Sequence, residues 1–276
     1  MDSIFRGGLF DGTVVLITGG GTGIGLASAR EMGGLGAKIA ICGRRREPLD
    51  AAAAALTAEG VEVHADTCDI REPDAIAAMV DGVVARFARI DVLINNAGGQ
   101  FPVTAEMCSP RGFAAVVRNN LLGTWNMTHA VATRAMIPQK SGVILNVIAQ
   151  VQRGFPGMVH TGAARAGVEN VTKTLAVEWA MYGIRTNAIA PGVIRSTGTK
   201  QYPPQLLEAA RKAIPMKRLG TPEEVSGLIT WMCSPAAAFV TGQTFTMDGG
   251  QAIWGDAWEI PDDVPGAEGG GDDHTT

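Results

Sequence analysis

The sequence predicts an α/β fold, a doubly wound parallel sheet of seven strands that forms a single domain with helices on both faces. Short apolar, β-branched segments alternate with helix-like segments along the chain, a pattern typical of parallel strands joined by right-handed helical crossovers. A glycine-rich turn follows the first strand directly. The 276 residues are 46% hydrophobic, which is enough to fill one large core.

Seven segments are expected to be strands because they are short, apolar and rich in β-branched residues, as buried parallel strands are. They cover residues 13–18, 38–42, 61–65, 92–95, 142–148, 185–189 and 244–247. The first of them, TVVLIT, ends at a run of glycines, which punctuate a strand.

The segments between the strands predict helices, most clearly in the alanine-rich stretch after the second strand. They cover residues 23–35, 48–58, 73–87, 111–135, 158–181 and 204–213. A last helix is expected to begin at Thr221, because threonine is a favoured N-cap residue, Pro222 fits the first turn and Glu224 completes a capping box.

The main domain is expected to span residues 1–254, with a substrate-loop insertion near 195–216. From residue 255 the composition changes to Asp, Gly, Pro and Glu. This change predicts an acidic, glycine-rich C-terminal tail over residues 255–276, ordered only where it packs on a neighbouring subunit.

The charge balance argues against nucleic-acid and membrane partners. Net charge is −4 and charged residues make up 18% of the chain, so no basic surface is indicated. No apolar run reaches membrane-spanning length, and the N-terminal residues lack the pattern of a signal peptide. The four cysteines are far apart and indicate neither a metal site nor a redox motif. They fit free thiols in a reducing compartment, so we expect a cytoplasmic location.

The turn after the first strand predicts a dinucleotide site. Residues 18–25 read TGGGTGIG and lie between a strand and a helix. Glycines allow a tight turn and close approach to a pyrophosphate, and the helix N-terminus supplies amides and partial positive charge. This is the arrangement of a Rossmann-type fold. The candidate cofactor residues in the turn are Gly19, Thr22, Gly23, Ile24 and Gly25.

The end of the second strand favours NADPH over NADH. An acidic residue there would bind the ribose hydroxyls of NAD, but residues 42–46 read CGRRR. Arginines suit a 2′-phosphate because their guanidinium groups bind it through paired, charge-assisted hydrogen bonds. We expect Arg44 to make the first phosphate contact and Arg45 the second.

Together with the sequence NNAG at residues 95–98 and Pro191-Gly192, the glycine turn resembles the short-chain dehydrogenase/reductase family over roughly residues 9–250. The resemblance implies Asp69 and Ile70 beside the adenine and a homotetrameric assembly. It also implies that the remaining cofactor contacts come from Asn96, Ala97, Gly98, Arg165, Pro191, Gly192, Val193, Ile194 and Ser196.

The family's catalytic Asn, Ser, Tyr and Lys are only partly present. Asn120 matches the asparagine, but Ile148 and Ala149 stand where the serine belongs. The Tyr-x-x-x-Lys pair aligns with Thr161 and Arg165. A threonine hydroxyl is a far weaker acid than a phenol, so simple alcohol dehydrogenation is disfavoured. Arg165 still supplies positive charge at the nicotinamide ribose.

Residues 95–101, 162–168 and 258–262 resemble the peroxisomal trans-2-enoyl-CoA reductases, and the 2,4-dienoyl-CoA reductases form a neighbouring group. The resemblance implies NADPH-dependent reduction of a C=C bond in an acyl-CoA thioester, part of fatty acid metabolism. Hydrogen-bond donors would stabilise the charge on the thioester oxygen, with Thr161, Gln150 and Asn120 as candidates and water as a possible proton source.

Two other functions remain open at this point. One is a carbonyl or alcohol oxidoreductase of the same family acting on another small molecule, and the other is a cofactor-binding protein without turnover. Neither tyrosine decides between them: Tyr182 ends a helix, and Tyr202 lies on the insertion, where it reaches a substrate only if that loop closes. Gln100 and Phe101 face either the substrate cleft or the packing of their own loop. His160, at a helix end, is either structural or a proton donor.

Overall fold

Seven parallel strands form one sheet at the centre of the computed structural model, which describes residues 3–196, 198–199 and 202–254. The strands are β1 (Val14–Thr18), β2 (Lys38–Gly43), β3 (Val63–Thr67), β4 (Val92–Asn95), β5 (Gly142–Val147), β6 (Ile184–Pro191) and β7 (Thr244–Met247). Their order in the sheet is β3-β2-β1-β4-β5-β6-β7. The fold class predicted from the sequence is therefore confirmed.

Nine α-helices cover the two faces within the described part of the chain. They are α1 (Gly23–Gly34), α2 (Arg46–Ala58), α3 (Pro73–Phe87), α4 (Pro110–Val117), α5 (Gly123–Val131), α6 (Ile137–Gln139), α7 (Val159–Glu178), α8 (Pro204–Ala213) and α9 (Pro222–Cys233). The predicted start of α9 is confirmed, because the Thr221 side chain accepts from Glu224 N and the Glu224 side chain accepts from Thr221 N.

The helix predicted over residues 111–135 differs from the structure. It runs on to Gln139 and contains two π-helical segments, Arg118–Leu122 and Ala132–Met136. The second segment ends two residues before Pro138, whose ring would meet the carbonyl of residue 134 in a regular α-helix. A wider turn relieves that contact. The hydrophobic period of the sequence carries no sign of such a widening.

The third strand begins two residues later than predicted. Val61 N donates to Leu56 O, so Val61 closes the C-terminal turn of α2 instead of joining the sheet. Its side chain packs against Gly33 of α1, where a Cβ would lie 2.5 Å from Val61 Cγ1. Apolar character alone does not separate these two uses of a valine.

Two hydrophobic cores lie on opposite faces of the sheet. On β1, Val15 and Ile17 join the core under α1 and α9, while Val14 and Leu16 join the core under α3, α5 and α7. This alternation follows from the period of two along a strand. All of these side chains are buried, as a sheet covered on both faces requires. Within the described residues, no helix combines the length and the apolar character needed to cross a membrane.

The strand order reverses between β1 and β4, which places a crevice at their carboxyl ends. A buried polar ladder fixes the elements around it. Asn95 on β4 donates to Asn146 on β5 at 2.9 Å, and Asn146 donates to Thr172 on α7 at 2.9 Å. The ladder thereby ties the second half of α7 to β4 and β5.

Candidate active site

A cleft of about 560 Å³ opens at this reversal point, and we refer to it as the cofactor cleft. It lies where an open α/β sheet binds its ligands. Many of the residues expected at the cofactor line it: Gly19, Thr22, Gly23, Ile24, Arg44, Arg45, Ile70, Asn96, Ala97, Gly98 and Ser196. The structure thus brings together residues that the sequence spreads over nearly 180 positions.

The floor of the cofactor cleft is built from backbone. Gly19 and Gly23 have positive φ angles of 67° and 55°, which side chains rarely adopt. Asn96 Nδ2 donates to Thr18 O at 3.0 Å and to Gly19 O at 3.2 Å, so β4 holds the turn in place. No side chain caps the N-terminus of α1. Its amides remain available to a phosphate, and the turn therefore fits a dinucleotide pyrophosphate.

Gly25 sets the closeness of the turn to α1. A Cβ at this position would lie 2.4 Å from Gly19 O, a backbone atom that cannot move aside. We expect Gly25→Ala to lower the free energy of unfolding by about 1–3 kcal/mol, as overpacking does, and to weaken dinucleotide binding.

Urea unfolding and cofactor titration measure the two effects of Gly25→Ala. Gly34→Ala is the matched control on the same helix, because nothing lies within 4 Å of its Cβ position. It should stabilise the helix by about 0.5–1 kcal/mol. Equal stability of Gly25→Ala and the unmodified protein would contradict the packing described for the turn.

The end of the cofactor cleft beside β2 carries unpaired positive charge. Arg44 and Arg45 are exposed, and neither forms an ion pair with any described residue, whereas Arg46 pairs with Asp50 at 2.8 Å. Asp69 is bound by Arg71, whose guanidinium holds the pKa of the Asp69 carboxyl at about 2, with a smaller contribution from Arg44. Since Arg71 already satisfies that carboxylate, Arg44 stays available to a phosphate.

The thiols of Cys42 and Cys68 line the cleft beside these arginines. They hydrogen-bond each other, which together with burial raises the pKa of Cys42 and, through the same bond, lowers the pKa of Cys68. The sequence motifs indicate neither thiol as part of the cofactor site, nor Pro48 and Leu49. Cys42 lies near the end of β2 and Cys68 directly follows β3, so the carboxyl ends of these strands were the available signal.

Asn120 lies in the π-helical segment between α4 and α5 and is buried. Its Oδ1 accepts from Gly99 N at 3.0 Å, and its Nδ2 donates to Gly99 O at 2.9 Å. Both ends of the side-chain amide therefore bind the backbone of Gly99, in the loop after β4. Asn120 acts in this structure as a positioning residue for that loop.

Arg165 stands behind Gly98 on the first half of α7. Its guanidinium donates to Val147 O at 3.1 Å, and a Cβ on Gly98 would lie 2.3 Å from its Nη2. Burial lowers the pKa of Arg165 to about 10, which leaves it charged at neutral pH. The geometry supplies a fixed positive charge beside the loop that lines the cleft.

Thr161 is fully buried, and its hydroxyl lies 3.1 Å from His160 Nδ1. The backbone N–H of Thr161 donates to the same ring nitrogen at 2.7 Å, so His160 carries its proton on Nε2 when neutral. Burial lowers the pKa of His160, which favours that neutral form. The Thr161 hydroxyl, which the sequence suggests as a donor to the substrate, therefore contacts the neighbouring His160 ring instead.

Gln150 offers a hydrogen-bond donor that is not already used, unlike the hydroxyl of Thr161. Its Nε2 is buried and has no hydrogen-bond partner among the described residues. Its backbone N donates to Pro191 O at 3.3 Å, at the end of β6. A buried amide without a partner is costly, so this donor is suited to an acceptor brought by a ligand.

The segment after β6 is tied to its surroundings by backbone contacts. Gly192 N donates to Met247 O, Gly220 N donates to Val193 O, and Ile194 pairs with Gly220. Residues 192–194 follow Pro191 at the end of β6 and lead to Ser196, which lines the cofactor cleft. Thr197 and the tail from residue 255 onward, including residues 258–262, lie outside the described residues.

Known proteins resemble this chain over almost its whole length. A family model described as enoyl-(acyl carrier protein) reductase matches residues 19–252. A probable 2,4-dienoyl-CoA reductase of Bacillus subtilis is 40% identical over 245 residues, 86% of this chain and 95% of that protein. A 3-oxoacyl-(acyl-carrier-protein) reductase of Synechocystis is 36% identical over 244 residues, 87% of this chain and 97% of that protein.

A solved structure also resembles this chain over almost its whole length. The citronellol catabolism dehydrogenase of Pseudomonas aeruginosa superposes with a TM-score of 0.83 at 42% identity, covering 91% of this chain and 100% of that one. The named relatives therefore include reductases and a dehydrogenase with different substrates.

Proposed function

This chain belongs to the short-chain dehydrogenase/reductase family of oxidoreductases, and from that premise we propose that it reduces an activated C=C bond in a 2-enoyl-CoA or 2,4-dienoyl-CoA thioester with NADPH. The unpartnered buried donor of Gln150 is the observation that carries the proposal. Thr161 and Arg165 occupy the tyrosine and lysine positions of the family motif on α7. The 40% identity to a probable 2,4-dienoyl-CoA reductase supports the same assignment.

The residues of the cofactor cleft fit a phosphorylated dinucleotide. The glycine turn and the uncapped start of α1 would hold the pyrophosphate, and Arg44 with Arg45 would hold the 2′-phosphate. Arg165 would orient the nicotinamide ribose from behind Gly98. When bound, NADPH supplies the hydride.

The α7 side chains favour a C=C bond over a carbonyl. Carbonyl reduction requires a proton at the oxygen, but the Thr161 hydroxyl is buried against His160 and an arginine retains its proton. When a conjugated thioester accepts hydride at carbon, negative charge develops on its oxygen instead. Hydrogen-bond donors and nearby positive charge stabilise that oxygen without transferring a proton, and Gln150 and Arg165 supply these.

A second candidate function is reduction of a 3-oxoacyl thioester, favoured by the 36% identity to an oxoacyl reductase. A third is cofactor binding without turnover, favoured by the missing α7 tyrosine. The three candidate functions differ in the substrate that is reduced, so a comparison of substrates distinguishes them.

A substrate panel tests the proposed function. We expect the purified full chain to oxidise NADPH with crotonyl-CoA or with 2,4-hexadienoyl-CoA at a kcat/KM at least about 100-fold above that with acetoacetyl-CoA or simple ketones, a difference of roughly 3 kcal/mol in transition-state binding. Preference for the 3-oxoacyl thioester would establish the second candidate. NADPH binding with no oxidation of NADPH in the presence of any panel member would establish the third.

A further inference from the structure

The segment between β6 and α8 presents a phenol to the loop after β4, and we propose that Tyr202 donates the proton that completes the reduction. Tyr202 Oη lies 3.3 Å from Gln100 Nε2, although 102 residues separate them along the chain. The inference rests on the proposed function, because hydride addition to a C=C bond leaves a carbon that must be protonated.

Gln100 is placed by the same contacts that build the cofactor cleft. It directly follows Gly99, whose backbone N–H and carbonyl oxygen both hydrogen-bond the Asn120 side chain. The preceding Gly98 lines the cleft and touches Arg165. The contact with Gln100 therefore connects the phenol of Tyr202 to a residue two positions from Gly98 in the cleft wall.

The segment that carries Tyr202 also begins at the cleft. Ser196 lines the cleft, and its backbone N donates to Thr199 Oγ1 at 2.9 Å. The Thr199 hydroxyl donates back to Ser196 O at 2.9 Å, and Tyr202 N donates to Thr199 O at 3.1 Å. These hydrogen bonds connect Ser196 at the cleft to Thr199, and Thr199 to Tyr202.

The direction of the hydrogen bond leaves the phenolic proton available. Gln100 Nε2 is the donor and the phenol oxygen is the acceptor, so the hydroxyl hydrogen of Tyr202 is not used in this contact. The phenol is half-buried, which allows contact with a ligand in the cleft. Gln100 holds the phenol oxygen of Tyr202 in position, and the phenolic hydrogen remains free to be donated to a ligand.

The other tyrosine of the chain stands at the opposite edge of the sheet. Tyr182 precedes β6, packs against the core under α3, α5 and α7, and lies at the amino end of the strand whose carboxyl end borders the site. Tyr202 is therefore the phenol that the fold brings to the substrate side, where α7 has Thr161 instead.

When bound, NADPH would supply a hydride to one carbon of the double bond and leave as NADP⁺. The electron pair of the double bond would move towards the thioester oxygen, to which Gln150 would donate a hydrogen bond. The O–H bond of Tyr202 then breaks and a C–H bond forms at the second carbon. The phenolate regains a proton from water, and no further oxidant or reductant is needed.

Tyr202→Phe tests the proposal because it keeps the ring and removes only the hydroxyl. We expect kcat with crotonyl-CoA or with 2,4-hexadienoyl-CoA to fall about 100-fold, within the range for loss of a general acid. The Kd for NADPH, measured by fluorescence, should stay within about twofold and also shows that the variant is folded. Tyr182→Phe is the matched control and should behave as the unmodified protein.

Isotope effects separate proton donation from a role in closing the loop. In Tyr202→Phe the solvent deuterium effect on kcat should grow and the effect of deuterium at nicotinamide C4 should shrink, because protonation becomes limiting. A loop-closing role would raise KM and leave both effects unchanged, which would overturn the inference. So would an active unmodified protein whose Tyr202→Phe variant keeps kcat within twofold. An unmodified protein inactive on every enoyl thioester would instead overturn the proposed function itself.

Discussion

Replacing Gln150 with leucine is expected to lower kcat for an enoyl-CoA thioester by about 100-fold, the size of effect seen when one oxyanion donor is removed. Gln150 Nε2 is buried without a partner, so the structure already bears the unfavourable cost of holding a desolvated donor. A ligand oxygen at that point recovers the hydrogen bond, and more so as the oxygen gains negative charge. Leucine has a similar volume and offers no donor.

Steady-state kinetics and NADPH titration measure the two consequences of Gln150→Leu. The loss should appear in kcat, while the Kd for NADPH stays within about twofold. Gln152→Leu is the matched control, since Gln152 is exposed and donates only to Thr246 at 3.4 Å. If both leucine variants turned over equally fast, Gln150 would have no part in stabilising the oxygen.

Removing both arginines at the end of β2 is expected to weaken NADPH binding by about 100-fold or more. Hydrogen bonds to charged groups contribute about 1.5–3 kcal/mol each, and a tenfold change in Kd corresponds to about 1.4 kcal/mol. Arg44 and Arg45 line the cleft and pair with no carboxylate in the described part of the chain. The double variant Arg44→Ala/Arg45→Ala removes their charge without disturbing an existing ion pair.

Calorimetric titration with NADPH and NADH tests the role of the two arginines. NADH lacks the 2′-phosphate, so its Kd should stay within about threefold in the double variant. Arg46→Ala is the control, because Arg46 is exposed and pairs with Asp50. Equal losses for both cofactors would mean that the arginines support the fold of the cleft rather than a phosphate.

The features that the sequence predicts well are those with a local cause. The glycine run after β1 can be recognised in the sequence because a turn that binds a pyrophosphate requires residues without Cβ atoms. A Cβ at Gly25 would lie too close to Gly19 O to be accommodated. The capping box at Thr221 is equally local and is present. The family membership predicted from spaced motifs is confirmed.

The features that the sequence does not reveal depend on the burial and direction of individual side chains. Gln100 and Tyr202 meet across 102 residues, and no pattern at either position indicates it. Thr161 reads as an open hydroxyl until its contact with His160 Nδ1 is seen. Gln150 differs from any other loop glutamine only in its burial without a partner. Side-chain direction in three dimensions decides each of these cases.

The product formed from a 2,4-dienoyl-CoA and NADPH deuterated at nicotinamide C4 tests the proposed reaction most directly. We expect mass spectrometry and NMR to find one deuterium bound to a carbon of the former diene, a second hydrogen drawn from solvent, and an intact thioester. Recovery of the unchanged diene, from protein that does transfer the deuterium to the carbonyl carbon of a 3-oxoacyl thioester, would contradict double-bond reduction as the function of this site.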